Sequence, residues 1–595
     1  MMQIPIPDYS LLADQVSRVF TPKLVSCRFE LRSLCSSSQN RTHSPKYKVR
    51  LIMASREDEK YILYGGPDPL EFLQDGSLGE MMLKEFLVKP DNIGLIDPVT
   101  EVQLTYRQIL QQSIKVAVAL TRLGIQKTDR AAIISDNCLE FCIAEFGSIF
   151  ASIPVALLNP AYVEAELEHA INLSKPKVVF VSANVLAKIA GTFRKLKLAA
   201  RMVVLGEASN IANFPEAISF SKLLEETNPP SNFMPEPVDV KSQVAVIVLS
   251  SGTTGLPKGV ELTHLNIMTT VAHAKETRKI LDEIPDQLNT LAVTPLFHAM
   301  AAVSMINMVT NDCRCVVLTK FDIVLFLESI QKYKVNLMTV APPLLVFLAK
   351  HPIVDNYDLS SLITLICGAA PLSKEIEDRV RDRIGVAFIR QGYGLSETTL
   401  GVLMQTGFEN KAGCVGQIRM GQWVKVIDPE TGKILGPNQR GELCFKGSLI
   451  MKGYVDEETV IDADGWLHTG DIGYYDDEHD FFIVDRIKEL IKYKGFQVPP
   501  AELEAILIKN PKIKDAAVIG IADERVGELA TAFVVKEDDV EITAEEIVQY
   551  MASQVSPQKQ LHGGVRFIDE VPRTISGKIL RRELREFIKN TKSKL

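Results

Sequence analysis

Between about residues 100 and 400, short apolar runs rich in β-branched residues alternate with longer amphipathic segments. This rhythm limits the possible folds more than any other feature of the chain. The runs are Ala131–Ser135, Lys177–Ser182, Met202–Leu205, Val244–Leu249, Thr290–Thr294, Cys315–Leu318, Leu337–Ala341 and Leu362–Cys367. A strand apolar on both faces has to be covered on both faces. Segments with helical periodicity, such as Thr105–Leu123 and Pro371–Arg383, supply the cover. The expected result is an α/β fold, with parallel sheets sandwiched by helices. From about 415 to 485 the texture changes to short strands separated by turns, at 428–432 (DPETG), 438–441 (NQRG) and 463–465 (ADG). That pattern predicts a small antiparallel β-barrel. Beyond Asp485-Arg486, strand and helix patterns alternate to the end, which predicts a separate small α+β domain over 487–595, after an N-terminal domain over 53–486.

A chain of 595 residues exceeds one ordinary domain, and 46% hydrophobic residues suffice for several cores. A net charge of −8, without a basic stripe, argues against nucleic acid as a partner. Nine cysteines are scattered with no Cys-x-x-Cys pair, so the spacing carries no zinc signature and suits unpaired thiols in a reducing compartment. The apolar stretch Leu291–Val309 approaches membrane-spanning length, but Pro295 and His298 interrupt it, and it reads as core, not as a transmembrane segment. Residues 1–52 are rich in Arg, Lys and Ser and read either as a transit-like leader or as a variable or disordered segment ahead of Met53. Ser593-Lys594-Leu595 matches the tripeptide address for peroxisomal import and implies the import receptor as a partner.

The first chemical motif follows the run ending at Leu249. Residues 250–259 read SSGTTGLPKG. A loop this rich in glycine and hydroxyls leaves many backbone N–H groups available, a nest for a polyphosphate with Lys258 as point charge. It is not the usual triphosphatase loop, because Gly259 and the strand-like Val260-Glu261-Leu262 follow the lysine where a helix should open. Thr263 reads instead as the N-cap of a helix over Leu265–Arg278.

Four further motifs follow in order: QGYGLSETT at 391–399, GWLHTGD at 465–471, DRIKELIKYKGFQ at 485–497 and PRTISGKIL at 572–580. Together with the first, they resemble the signatures of the adenylate-forming (ANL) superfamily, which includes acyl-CoA synthetases, 4-coumarate–CoA ligases, beetle luciferases and peptide-synthetase adenylation domains. The resemblance covers roughly residues 55–595 and points to the luciferase and 4-coumarate–CoA ligase-like branch. It implies two α/β subdomains and the barrel in the large domain, and a small C-terminal domain that moves as a lid.

It also implies roles. Ser250, Ser251, Gly252, Thr253, Thr254, Gly255 and Lys258 would hold the β- and γ-phosphates of ATP, with Thr253 counted in the catalytic set. Gly368, Ala369 and Ala370 would form the adenine wall. Gln391, Gly392, Tyr393, Gly394 and Ser396 would complete the nucleotide site, with Glu397 as a catalytic Mg²⁺ ligand, since magnesium prefers one or two carboxylates plus phosphate oxygens. Asp471 and Arg486 would take the ribose, and Lys488, Lys492 and Gln497 would approach AMP from the hinge. Lys578 would bridge the attacking carboxylate and the α-phosphate, charge neutralisation being the main requirement of such a transfer. Lys494, Gly495 and Lys320 would meet coenzyme A after the lid rotates.

His298 would orient the substrate carboxylate at an acyl pocket shared with Met300, Ser304 and Met404. Hydroxycinnamate ligases carry an aromatic residue, and luciferases a Gly-Phe-Gly stretch, near Met300. The small, flexible replacements here predict a roomier apolar pocket. The expected activity is an acid–CoA ligase using ATP, Mg²⁺ and coenzyme A on a medium- or long-chain fatty acid. The alternatives are a luciferase-like monooxygenase or an aromatic acid ligase.

Overall fold

The computed structural model describes residues 50–51, 59–68, 76–206, 211–250, 257–280, 287–370, 372–406, 411–457, 460–494, 496–523, 525–538, 540–574 and 577–592. Ser251, Gly252, Thr253, Thr254, Gly255, Gly495 and the terminal Ser593-Lys594-Leu595 lie outside the described residues, as do residues 1–49 and the side chain of Gln497.

The apolar runs form two parallel sheets. In the first, Ile93–Ile96, Cys313–Val317, Leu288–Ala292, Leu337–Val340, Thr364–Cys367 and Phe388–Leu395 lie side by side in that order. In the second the order is Val244–Ser250, Val155–Leu158, Ala131–Ile134, Val178–Ser182, Arg201–Leu205 and Ala217–Ser219. The expected strand over 290–294 sits two residues earlier because the chain turns at Thr294-Pro295, and proline cannot donate to a ladder. The stretch Leu291–Val309 is thereby split between that strand and the helix Ala299–Val309. Among the described residues no helix is long and apolar enough to cross a membrane.

Helix starts follow local chemistry. Thr105 and Gln108 form a reciprocal capping box at Tyr106–Arg122, and Ser373 caps Lys374–Ile384. At His264–Ile280, Thr263 Oγ1 accepts the Asn266 N–H while Asn266 Oδ1 accepts that of Thr263. One core cluster includes Phe86, Phe146, Phe150, Val248 and Ile306, all with essentially no exposure. Each such side chain contributes about 1.5–3 kcal/mol on burial.

The barrel-like strands are antiparallel, in the order Gln422–Ile427, Gly441–Gly447, Leu467–Tyr475, Phe481–Arg486 and Cys414–Ile418. They do not stand apart as a separate sheet. Phe388–Leu395 pairs in parallel with Thr364–Cys367 through its first half and antiparallel with Leu400–Met404 through its second, and that strand leads into the antiparallel set. One long strand thus joins the parallel sheet to the barrel region.

The C-terminal region has its own five-stranded sheet and its own core around Leu503, Val518, Val534 and Met551. Its loop over Arg573–Leu580 reaches back onto the large domain at Gly577. That residue has φ +84°, and an added Cβ would lie 2.8 Å from Pro343 Cγ. Only glycine meets both demands.

Candidate active site

The antiparallel pairing of Leu467–Tyr475 with Phe481–Arg486 sets Asp471 opposite Arg486. Asp471 is only 3% exposed. Tyr393 Oη donates to its Oδ2 at 2.6 Å. Arg486 Nε stands 3.1 Å from Oδ1, but at an angle that completes no hydrogen bond, so this buried oxygen is an acceptor without a donor. Burial raises the Asp471 carboxyl above its ordinary range, against the pull of Arg486. An uncompensated buried acceptor beside cavity-lining Gly470 and Arg486 is suited to a sugar hydroxyl.

Next to this corner, Phe388–Leu395 presents Arg390, Gly392 and Gly394 to the cavity. A Cβ on Gly394 would lie 1.8 Å from the Leu400 carbonyl oxygen, so no side chain fits there. The chain then turns through Thr399 and Leu400 at φ +46° and +79°, a left-handed pair unusual for non-glycine residues. This turn presents Glu397 to the cavity, with Tyr454 Oη donating to its Oε1 at 2.8 Å. Lys258 opens the strand Lys258–Thr263, as the sequence suggests, and its Nζ sits 4.7 Å over the Tyr454 ring and 2.5 Å from Glu457 Oε2.

From the small domain comes Lys578, on a tight loop closed by Thr574 N–H to Lys578 O at 2.8 Å and Lys578 N–H to Thr574 Oγ1 at 3.1 Å. Arg573 braces the loop with a bond to Gly577 O and a fork on Asp515. Desolvation, with Arg486 nearby, lowers the Lys578 ammonium to about 8. Asp471, Glu489 and Glu397 act in the opposite direction. The hinge is anchored by Ile487 N–H to Gly470 O at 2.8 Å, and the Asp485 carboxylate accepts from Ala501 N–H at 3.0 Å.

Lys258, Arg390, Gly392, Gly394, Glu397, Tyr454, Arg486 and Lys578 line one cavity of about 1160 Å³, and Asp471 lies next to its lining through Gly470 and Tyr393. Its wall also includes His298, Met300, Ser304, Met308 and Met404, the last paired in register with Gly392. His298 is the N-cap residue of Ala299–Val309, and burial lowers its imidazole below the ordinary range, so it is neutral near pH 7.

A family described as AMP-binding enzyme matches residues 85–455, and its C-terminal domain matches 502–578. The chain belongs to the adenylate-forming (ANL) superfamily. It is 41% identical over 554 residues to luciferin 4-monooxygenase of Photinus pyralis, covering 91% of this chain and all of that one. It is 39% identical over 505 residues to 4-coumarate–CoA ligase 1 of Petroselinum crispum, covering 83% and 91%. The natural red-emitting luciferase of Phrixothrix hirtus superposes with a TM-score of 0.65 at 34% identity, over 88% of this chain and 98% of that one. ATP-bound MatB of Rhodopseudomonas palustris shares the fold, with a TM-score of 0.77 at 24% identity over 87% of this chain and all of that one. The chain therefore has the adenylate-forming ligase chemistry of the AMP-binding enzyme family.

Against that superfamily pattern, the structure gathers Ser250, Lys258, Gly368, Ala369, Gly392, Tyr393, Gly394, Ser396, Glu397, Arg486, Lys488 and Lys578 around the cavity, with Asp471 behind the Gly470 backbone. Some expectations need correction. Gln391 points to the other face of its strand, toward Glu377 (Nε2 to Oε2 3.4 Å), because strand residues alternate. Ala370 lies past the cavity edge, while Ala369 takes the left-handed conformation at φ +72°. Lys492 and Lys494 sit on an exposed hairpin of the small domain, Lys492 paired in register with Gln497, outside the cavity in this conformation, which is where Lys494 is expected before the lid rotates. Lys320 is exposed, also outside the cavity.

Arg390 is the residue that motif reading missed. It is 6% exposed, lines the cavity, and its Nε has no hydrogen-bond partner. Its signal was the alternation itself, which places it on the face of Gly392 and Gly394.

Proposed function

We propose that the enzyme is an acid–CoA ligase for medium- or long-chain fatty acids. The observation that carries this reading is that one cavity is lined both by Lys578 and Arg486 and by His298, Met300, Met308 and Met404. Methionine side chains adapt to a flexible chain better than to a rigid ring. In the first step a carboxylate oxygen attacks the α-phosphorus of ATP. The bond to the bridging oxygen breaks, and pyrophosphate leaves. Lys578 would stand between attacking oxygen and α-phosphate, and Lys258 would neutralise the departing phosphates once they displace Glu457. Glu397, a cavity-facing carboxylate held by Tyr454, would hold the Mg²⁺ that offsets phosphate charge. In the second step the thiolate of coenzyme A attacks the acyl carbonyl and AMP leaves. Lys578 has to withdraw for that step, and a rotation about Asp485–Lys488 would bring the Lys494 hairpin toward the site.

A second reading, an aromatic acid ligase or luciferase-like oxygenase, is favoured by Arg390. A buried guanidinium with an open Nε suits a polar ring substituent better than an alkyl chain. Profiling an acid panel separates them. ATP–pyrophosphate exchange and CoA-dependent AMP release strongest with C8–C18 acids support the first reading. Preference for hydroxycinnamates, or light with luciferin, ATP and oxygen, overturns it.

A further inference from the structure

The cavity wall beside the ribose corner carries a second cluster of reactive side chains. Cys444 and His468 are cross-strand partners on Gly441–Gly447 and Leu467–Tyr475, with Sγ and Nδ1 3.6 Å apart. Glu442 Oε2 lies 3.0 Å from the same Nδ1. These sulfur, nitrogen and oxygen atoms all fall within 4.8 Å of one another. A tetrahedral ion with metal–N and metal–O distances of about 2.0–2.1 Å and metal–S of about 2.3 Å sets its N and S donors roughly 3.6 Å apart and its N and O donors roughly 3.3 Å apart. The two spacings from His468 Nδ1 lie close to these values, and the sulfur and oxygen stay within reach of the same point.

Their supports match as well. A ligating histidine normally engages a carboxylate or carbonyl through its other ring nitrogen. Here His468 Nε2 faces Asp462 Oδ2 at 3.5 Å. Asp462 is itself fixed, its Oδ1 accepting the N–H groups of Asp464 and Trp466 at 2.9 Å each. Glu442 uses its other oxygen, Oε1, to accept the Gly470 N–H at 2.9 Å, so Oε2 can turn to an ion without breaking that bond. Glu442 is 9% exposed and Cys444 fully buried, but Glu442 and His468 line the cavity, which gives an ion an entry path and a fourth position.

The geometry points to a site for a thiophilic divalent cation such as Zn²⁺ or Cd²⁺, ligated by Glu442 Oε2, Cys444 Sγ and His468 Nδ1. It is chemically distinct from any magnesium at Glu397, because a thiolate and an imidazole select soft or borderline ions over Mg²⁺. The spacing of cysteines along the chain conceals it, since its ligands are two residues apart on one strand and opposite each other on the next. Through Glu442 Oε1 and Gly470, an ion held there braces the segment that presents Asp471.

The test is titration of the full-length protein with Cd²⁺, reading the ultraviolet thiolate-to-cadmium charge-transfer band. One equivalent should bind with a band that Cys444→Ser abolishes. Asp462→Asn should weaken binding by about 10–100-fold, the usual cost of losing an outer-sphere partner, and His468→Gln by at least as much. Melting curves establish that each variant is folded. If Cys444→Ser does not fold, the His468 and Asp462 variants decide. No band under a small molar excess of Cd²⁺ overturns the site. So does a band of equal intensity in Cys444→Ser, which would place the ion on other cysteines, or an affinity unchanged in both His468→Gln and Asp462→Asn.

Discussion

At the ribose corner the polar groups are fixed in direction: Tyr393 Oη on Asp471 Oδ2, Arg486 beside Oδ1, Tyr454 Oη on Glu397, and the hinge bonded to Gly470. The proposed acyl end of the same cavity is lined by Met300, Ser304, Met308 and Met404, side chains mostly able to change rotamer cheaply. The difference separates two tasks. Charge stabilisation gains from groups oriented before the substrate arrives. Accommodation of a hydrocarbon gains from walls that repack around it. Substitutions at the nucleotide end should therefore cost rate for every acid, and substitutions at the acyl end should change which acid is preferred.

The strongest challenge to this division is Lys578→Ala. Loss of one preorganised donor to a developing charge costs about 10²–10³ in rate. Adenylation, read as ATP–pyrophosphate exchange, should fall by that much for short and long acids alike, while coenzyme A transfer from supplied acyl-AMP survives. Equal loss in both half-reactions would show that the lysine loop is structural and does not belong to the first step alone.

Asp471→Asn comes next. The amide keeps the shape but forfeits charge-assisted bonds worth about 1.5–3 kcal/mol, or roughly 10–100-fold in kcat/KM for ATP. The KM of the carboxylic acid should be unmoved. A change in acid selectivity would mean that the two ends are coupled.

The nucleotide end was legible because its residues lie in contiguous strings with glycines between them, and because a strand fixes which residues share a face. Asp471, Lys258 and Lys578 could be chosen from the sequence on that basis. The same alternation was overlooked at Gln391, which turns to Glu377, and at Arg390, which faces the cavity. Sheet membership was legible from the apolar runs. The union of barrel region and parallel sheet was not, because it depends on Phe388–Leu395 changing partner direction midway, which no local pattern encodes. The acyl end was least legible of all. Met300, Ser304 and Met404 were named for it, but Met308, which joins them in the cavity wall, was not, because it meets them only through tertiary packing.

Charge at the nucleotide end also predicts a pH profile. In the proposed adenylation step Lys578 acts as a cation, and in the free enzyme its ammonium is depressed to about 8. The cationic form is present below that value and lost above it, so kcat/KM for adenylation should decline above pH 8, by about tenfold at pH 9. Lys578→Arg, which stays protonated, should shift the alkaline limb upward whatever its absolute rate. An unchanged limb in the arginine variant would assign the decline to another group.

The smallest effect is expected at Ser304, and it bears most directly on the substrate. Its hydroxyl faces the cavity from the helix Ala299–Val309. An alkyl chain cannot replace the water that such a hydroxyl binds, so desolvating it opposes fatty acids by about 1 kcal/mol. Ser304→Ala should then raise kcat/KM for saturated acids by roughly fivefold and leave pyrophosphate exchange with short acids unaltered. For an aromatic acid whose ring hydroxyl bonds to Ser304, the same change should lower kcat/KM instead. The direction of this shift, measured on matched C8 and hydroxycinnamate substrates, therefore tells whether the adaptable end of the cavity serves a chain or a ring, independently of which acid turns over faster in the parent enzyme.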